Sequence, residues 1–253
     1  MKDLINIAWQ NYEQYTQSSF LVQPSIPILF FGDSNGFSQS SLKVITVGLN
    51  PSRQEFPPTD PYMRFRDSQD IYPGILSELG YENYSNSLNN YFRCMPYKSW
   101  FNAFEPLLNG LGCSYYDKFP NIAIHTDLCS PLATDPTWNG LTQAQKHQLV
   151  ASGIDMWHRL IEKVQPDIIL ISVAEGLLNH IRFTPVEDWW TIHTIQRKNP
   201  YSFLARKVQI TSDKSAYLVF GRAAQKPFGH ISNNDKLLVG SLMREQLSGL
   251  INL

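Results

Sequence analysis

The sequence predicts an α/β protein: a three-layer α/β/α sandwich around a central, mainly parallel sheet. Three observations lead there. Three short apolar runs, LKVITVGLN (42–50), NIAIHTDLCS (121–130) and PDIILISV (166–173), have the length and β-branched content of buried strands. Segments with helical spacing separate them, which is the alternation expected of a parallel sheet and its crossover helices. The 253-residue chain is 43% hydrophobic and only 17% charged, enough apolar mass for a sizeable core and too little charge for a disordered chain. A single domain over 1–253 is expected, with an N-terminal extension of about 40 residues.

Residues 2–17 carry an imperfect apolar stripe and predict a short helix. PSIPILFFGDSNGFSQSS (24–41) reads as an edge strand and a polar turn. The first buried strand stops at Gly48, and the long loop after it is stiffened by Pro57, Pro58 and Pro61. Helical signals follow over 72–83 and 87–112, with Gly112 as a stop. The loop PLATDPTWNG (131–140) leads to the clearest helix, 141–165, with Leu141-Thr142 as its cap. AEGLLNHI (174–181) predicts a short helix, WWTIHTIQ (189–196) and KVQITSDKSAYLVFG (207–221) further strands, and SNNDKLLVGSLMREQLSG (232–249) a closing helix. No internal repeat is present.

Several chemistries are poorly matched. No glycine-rich phosphate loop with a lysine and no dinucleotide fingerprint occurs. Ser172 lacks the glycines of a nucleophile elbow. His125, His158, His180 and His193 are scattered, without carboxylates or cysteines at metal-ligand spacing, so no metal is expected. Cys94, Cys113 and Cys129 are odd in number and match neither a metal knuckle nor a redox pair, which predicts a reducing, intracellular setting. With no signal-peptide pattern and no run of eighteen apolar residues, a soluble cytoplasmic protein is expected.

In open α/β sheets ligands lie outside the carboxyl ends of the strands. Three such ends are polar here: Gly48-Leu49-Asn50-Pro51-Ser52, His125-Thr126-Asp127, and Gly229-His230-Ile231-Ser232. The expectation is that the three loops share one mouth of the sheet.

These stretches resemble motifs of the uracil-DNA glycosylase superfamily, nearest its mismatch-specific and single-strand-selective branches. GLNPS (48–52) resembles the first motif, Gly-x-Asn-Pro-Gly. DLCSPL (127–132) resembles the Asn-x-Cys-Pro-Leu element after the second strand, and QPDIILISVAEGL (165–177) the strand-to-helix unit that follows. GHIS (229–232) resembles the His-Pro-Ser motif after the last strand; NPYS (199–202) is a rival placement, resembling the Asn-Pro-Ser form. Together the motifs span roughly 40–250.

The resemblance implies an enzyme that everts one damaged base from DNA and hydrolyses its N-glycosidic bond without a metal or an organic cofactor. Asn50 would position the attacking water, and His230 would donate to the base carbonyl as charge develops there. The stretch Gly48, Leu49, Pro51 and Ser52 would lie against the base, Phe65 (preferred over Phe56) would stack on it, Asp127 would face its edge, and Ser232 would belong to the last motif. This chain departs from the pattern at three places: Ser52 stands for Gly, Asp127 for Asn, and Ile231 for the central Pro. An ionised Asp offers only acceptors, so Asp127 suits an amino or ring N–H group better than a carbonyl, and the preferred base need not be uracil.

Elementary chemistry runs parallel. Breaking an N-glycosidic bond puts negative charge on the leaving base, and one fixed donor there is worth roughly 3–4 kcal/mol. A neutral amide such as Asn50 is a poor base but can orient water, and Pro51 fixes the chain beside it.

Net charge is -1, so contact with nucleic acid requires a local patch. Residues 191–230 carry seven basic side chains against one acid, a local +6, which leaves -7 on the rest of the chain. Arg197, Lys198, Arg206, Lys207, Arg222 and Lys226 are the predicted phosphate contacts. Single-stranded or locally unpaired DNA is the easier target, because unstacking then costs less. Two alternatives stay open: a non-catalytic member of the fold that binds nucleic acid or a partner, and a hydrolase of small nucleosides.

Overall fold

The structure, a computed structural model, describes residues 1–71 and 76–248. In chain order the elements are α1 (Lys2–Gln14), α2 (Ser34–Gln39), β1 (Val44–Gly48), α3 (Glu78–Asn89), α4 (Lys98–Phe101), α5 (Glu105–Leu111), β2 (Cys113–Ser114), β3 (Asn121–Ile122), β4 (Ile124–Asp127), α6 (Gln143–Val164), β5 (Ile168–Ile171), β6 (Thr184–Pro185), β7 (Trp190–Ile195), β8 (Tyr201–Thr211), β9 (Lys214–Phe220) and α7 (Asn233–Ser248). This is a mixed α/β architecture whose central strands are parallel and flanked by helices. The helix expected from 72 begins on residues outside the described set, and so does Gly249.

Packing divides the chain into two compact units. The first comprises Met1–Asp33, Leu49–Tyr97 and His125–Lys163. The second comprises Ser34–Gly48, Lys98–Ile124 and Val164–Leu253.

In the first unit, the N-terminal residues form part of the packing. Trp9 of α1 meets Tyr84 of α3 edge-on at 5.9 Å, and the Tyr84 hydroxyl donates to Pro27 O at 2.8 Å. Residues 20–31 run beside residues 125–135: Val22 N–H bonds Ala133 O, Ile28 N–H bonds Pro131 O, and Phe31 exchanges backbone bonds with His125 of β4. The expected edge strand shrinks to this one bridge because Pro24 and Pro27 have no N–H to give a ladder. Helix α6 opens on a capping box, with Thr142 N–H donating to Gln145 Oε1 (2.8 Å) and Gln145 N–H to Thr142 Oγ1 (3.3 Å). Its buried stripe includes Leu149, Met156, Trp157, Leu160 and Ile161.

The second unit holds the sheet. β1, β5 and β9 pair in parallel, and every residue of β1 and β5 is buried, which accounts for their unbroken apolar runs. β9 then pairs antiparallel with β8, and β6 and β7 both pair antiparallel with β8. Only Ser212-Asp213 separates β8 from β9, and so short a link cannot join parallel strands. β8 also begins at Tyr201, six residues before the strand expected from 207. Its alternation, with Tyr201, Phe203 and Ala205 buried and Ser202 exposed, is that of a half-buried strand. Gly112 ends α5 in the left-handed region at φ 78, as its position in the sequence predicts.

Helices α5 and α7 cross through a pair of glycines. A Cβ on Gly110 would lie 2.3 Å from Leu237 O, and one on Gly240 would lie 2.2 Å from Leu107 O. Gly240→Ala should destabilise the protein by about 2 kcal/mol, as overpacking at this contact outweighs the helix-propensity gain of about 1 kcal/mol. A denaturant midpoint equal to or above that of the parent would refute this crossing.

Candidate functional site

The first unit laces two of the sequence motifs together. Leu49 O accepts from Cys129 N–H (2.9 Å) and Ser130 N–H (3.3 Å), and Pro51 O accepts from Thr134 N–H (3.1 Å). Arg53 N–H donates to Thr134 O, and the Arg53 side chain pairs with Asp135 at 3.2 Å. The Asn50-Pro51-Ser52 turn thus lies along residues 129–135, just beyond β4. Ser52 caps a 3-10 turn, Arg53–Glu55, its Oγ accepting from Gln54 N–H at 3.3 Å.

Asn50 is held rigidly. Its Nδ2 donates to Pro51 O (2.8 Å), Thr134 Oγ1 (2.9 Å) and Leu132 O (3.2 Å). The Thr134 hydroxyl gives its own proton to Pro136 O, so it receives from Asn50. These acceptors fix which end of the amide is nitrogen. The donor side is fully used, and Oδ1 remains as the acceptor of a half-buried side chain. That is a group able to hold and orient a water molecule and unable to donate to a base.

Asp127 ends β4 and is buried, with one oxygen 3.7 Å from His125 Nε2. It lines a small hollow with Pro131, Gly153 and Trp157, and Trp157 Nε1–H donates to Thr126 Oγ1 at 3.0 Å. Gly153 of α6 lies so close to the motif that a Cβ there would sit 1.9 Å from Cys129 O. Burial, with Asp127 adding to it, pushes the Cys129 thiol up to about 12, so this cysteine is no nucleophile.

Beside these loops is a cluster the sequence reading missed. Glu55 is buried, accepts a hydrogen bond from the Tyr91 hydroxyl at 2.5 Å, and lies 3.8 Å from Arg64 Nε. Burial pushes its carboxyl up to about 7; the Tyr91 bond and the Arg64 charge pull it down, and Asp127 adds to the rise. Arg64 Nε and Nη1 are buried with no hydrogen-bond partner among the described residues. The one sequence signal was an acid and an arginine, Glu55 and Arg64, near the two ends of the loop 56–65.

Phe65 belongs to this cluster's wall. Its ring stacks on Phe56 at 5.2 Å, lies 5.4 Å from Tyr91, and is 0% exposed. Base stacking, expected of Phe65, is not open to a ring with no accessible surface; Phe65 is a core residue.

In the second unit the last-motif loops hang from one edge of the sheet. β5 and β9 end there in parallel, and the β8 register, Leu204 opposite Phe220, puts the start of β8 at that same edge. The two rival placements are consequently neighbours. Arg197 Nη1–H donates to His230 O and Nε–H to Asn199 O (2.9 Å), and the Tyr201 and His230 rings are 6.3 Å apart. His230 is exposed. Ser232, expected to serve the substrate, is the N-cap of α7: its Oγ accepts from Asp235 N–H (3.1 Å) and donates to Asp235 Oδ2 (2.7 Å). The Ser-x-x-Asp spacing is itself a capping signal.

The predicted phosphate contacts do not form one rim. Arg206 and Lys207 are consecutive on β8 and so point to opposite faces. Arg206 lies 4.6 Å over the Trp189 ring, where burial lowers its pKa, and Lys207 lies over Tyr217 at 5.9 Å. Arg222 is paired with Glu175 at 2.6 Å. Arg197, Lys198 and Lys226 are exposed on the loops at the His230 edge. The count of seven basic residues could not distinguish faces, because charge summed along a strand ignores its alternation.

All three cysteines are free. Among the described residues no group of three or more metal-ligating side chains occurs, and no helix is long and apolar enough to cross a membrane. No protein family, curated protein or solved structure matches this chain.

Proposed function

We propose that this protein is a DNA glycosylase of the uracil-DNA glycosylase type, hydrolysing the N-glycosidic bond of an everted damaged or modified base. The observation that carries the reading is the lacing of Leu49–Arg53 to residues 129–135, with the Asn50 amide nitrogen bound to three acceptors. A carbonyl oxygen held this firmly orients water without needing to be a strong base, which suffices where the glycosidic bond is largely broken before attack. Gly48, Leu49, Pro51 and Ser52 form the backbone against which the base lies. His230, on an exposed loop beside Arg197, donates to the departing base. Asp127 reads a base edge that presents amino or ring N–H donors, so deaminated pyrimidines with a carbonyl at that edge are poorer substrates. Arg197, Lys198 and Lys226 contact phosphates flanking the target, and single-stranded DNA is preferred over stable duplex.

The test is a panel of single- and double-stranded oligonucleotides carrying different damaged bases, scored for abasic sites. The parent should release at least one base. Asn50→Ala should slow release roughly 100-fold through loss of water positioning. His230→Ala should slow it by about 10²–10³. His230→Ala should keep the parental melting transition to within a few degrees, while Asn50→Ala, which gives up three hydrogen bonds, should melt lower yet stay folded at the assay temperature. Release unaffected by both substitutions would remove these roles, and a panel left wholly uncut would overturn the activity.

A further inference from the structure

We infer that Ser172 and Phe228 are positioning residues that hold the His230 loop in one conformation. The inference rests on the glycosylase reading only for the role of His230. The loop turns at Lys226-Pro227-Phe228-Gly229, closed by Gly229 N–H to Lys226 O at 3.0 Å. Proline at the second place and a positive φ at the third are the marks of a type II turn, whose third place normally takes Gly. Here it is Phe228, at φ 49. A bulky side chain in the left-handed region is strained and persists only where its surroundings over-determine it.

Those surroundings are visible. The Phe228 ring is 0% exposed, 5.3 Å from Phe203 and 5.6 Å from Phe104. Gly221 leaves room for it: a Cβ there would meet Phe228 Cε1 at 2.8 Å. The Phe228 N–H donates to Ser172 Oγ at 2.9 Å, and Ser172, directly after β5, is itself buried. Ser172 thus has no need of nucleophile-elbow glycines; its hydroxyl serves the neighbouring loop as an acceptor. Two residues beyond Phe228, His230 is exposed, its carbonyl tethered by Arg197. An apolar anchor, one buried acceptor and one outer tether fix the backbone on both sides of an imidazole that stands in solvent. Gly at position 228 would relieve the strain but lose the anchor, which is the reason a Phe occupies it.

The experiment uses the full chain with Ser172→Ala, which removes the acceptor, Ser172→Thr, which keeps it, and Phe228→Gly, which removes the ring without backbone strain. Hydrogen exchange across 222–232 is measured first. Ser172→Ala should speed exchange of the Phe228 amide about tenfold while β5 amides stay protected, Phe228→Gly should release the same segment, and Ser172→Thr should stay near the parent. On an oligonucleotide the parent cleaves, Ser172→Ala should slow single-turnover base release about tenfold with DNA affinity unchanged, and Ser172→Thr should restore it. Unchanged exchange in Ser172→Ala, or release of the loop with no effect on base cleavage, would overturn the inference. A released loop in a protein whose parent cleaves nothing would overturn the glycosylase reading and leave the anchoring supported.

Discussion

Gly153→Ala is expected to destabilise the protein by about 3 kcal/mol, at the upper end of what overpacking costs. Inside a helix the same change normally stabilises by about 1 kcal/mol, so the sign alone is informative. The added methyl would stand 1.9 Å from Cys129 O and 2.6 Å from Cys129 C. Both are backbone atoms and cannot turn aside as a side-chain end would. Either α6 or residues 129–130 must move by an ångström or more. Movement of residues 129–130 strains the bonds from Cys129 and Ser130 to Leu49 O, and with them the frame that holds Asn50. The substitution should therefore lower the denaturation midpoint and, where base release is measurable, slow it further than the stability loss explains. Gly176→Ala is the control, since nothing lies within 4 Å of its Cβ position. Equal midpoints for the two variants would mean that α6 does not press on the motif.

Glu55→Gln should stabilise the protein at alkaline pH by about 3 kcal/mol and leave it nearly unchanged in acid. The Glu55 carboxyl is raised from 4.5 to about 7, chiefly by burial, so the folded chain holds a proton that the unfolded chain has already released. Between those two pH values the folded state binds more protons, and stability falls as pH rises. Below about 4.5 both states are protonated and the penalty vanishes; above about 7 it is complete, at roughly 1.36 kcal/mol for each pH unit of the shift. Gln resembles the protonated acid and still accepts from the Tyr91 hydroxyl. Denaturant melts at pH 4.5 and pH 8.5 would decide the matter. A parent no less stable at the higher pH, relative to the variant, would place the Glu55 titration outside this window.

The stretches that order the fold were legible because their signals are local. β1 and β5 are unbroken apolar runs, and a strand buried on both faces needs nothing more to declare itself. The Thr142–Gln145 capping box and the Gly112 stop are set within four residues of chain. At the candidate site, Asn50 and Asp127 stood out as polar groups at strand ends, and their placement within one unit follows from the fold of loops 49–53 and 127–135.

Other features needed the packed chain. Phe65 reads as an available aromatic until Phe56 and Tyr91 are seen against it. Ser232 reads as a motif residue until Asp235 takes up its hydroxyl. Glu55 acquires its raised pKa only from burial in the packed chain, which outweighs the lowering by Tyr91 and Arg64, a property of no single residue.

By itself, then, the sequence determined the buried parallel strands β1 and β5, the long helix α6 with its cap, and the polar strand ends, since periodicity and capping act over a few neighbouring residues. The tertiary structure alone decided which side chains are buried in pairs, which faces the charges of β8 occupy, and how Phe228 is held at a positive φ. Desolvation, close packing and strain arise between residues far apart in the chain, and no local pattern encodes the distance between them.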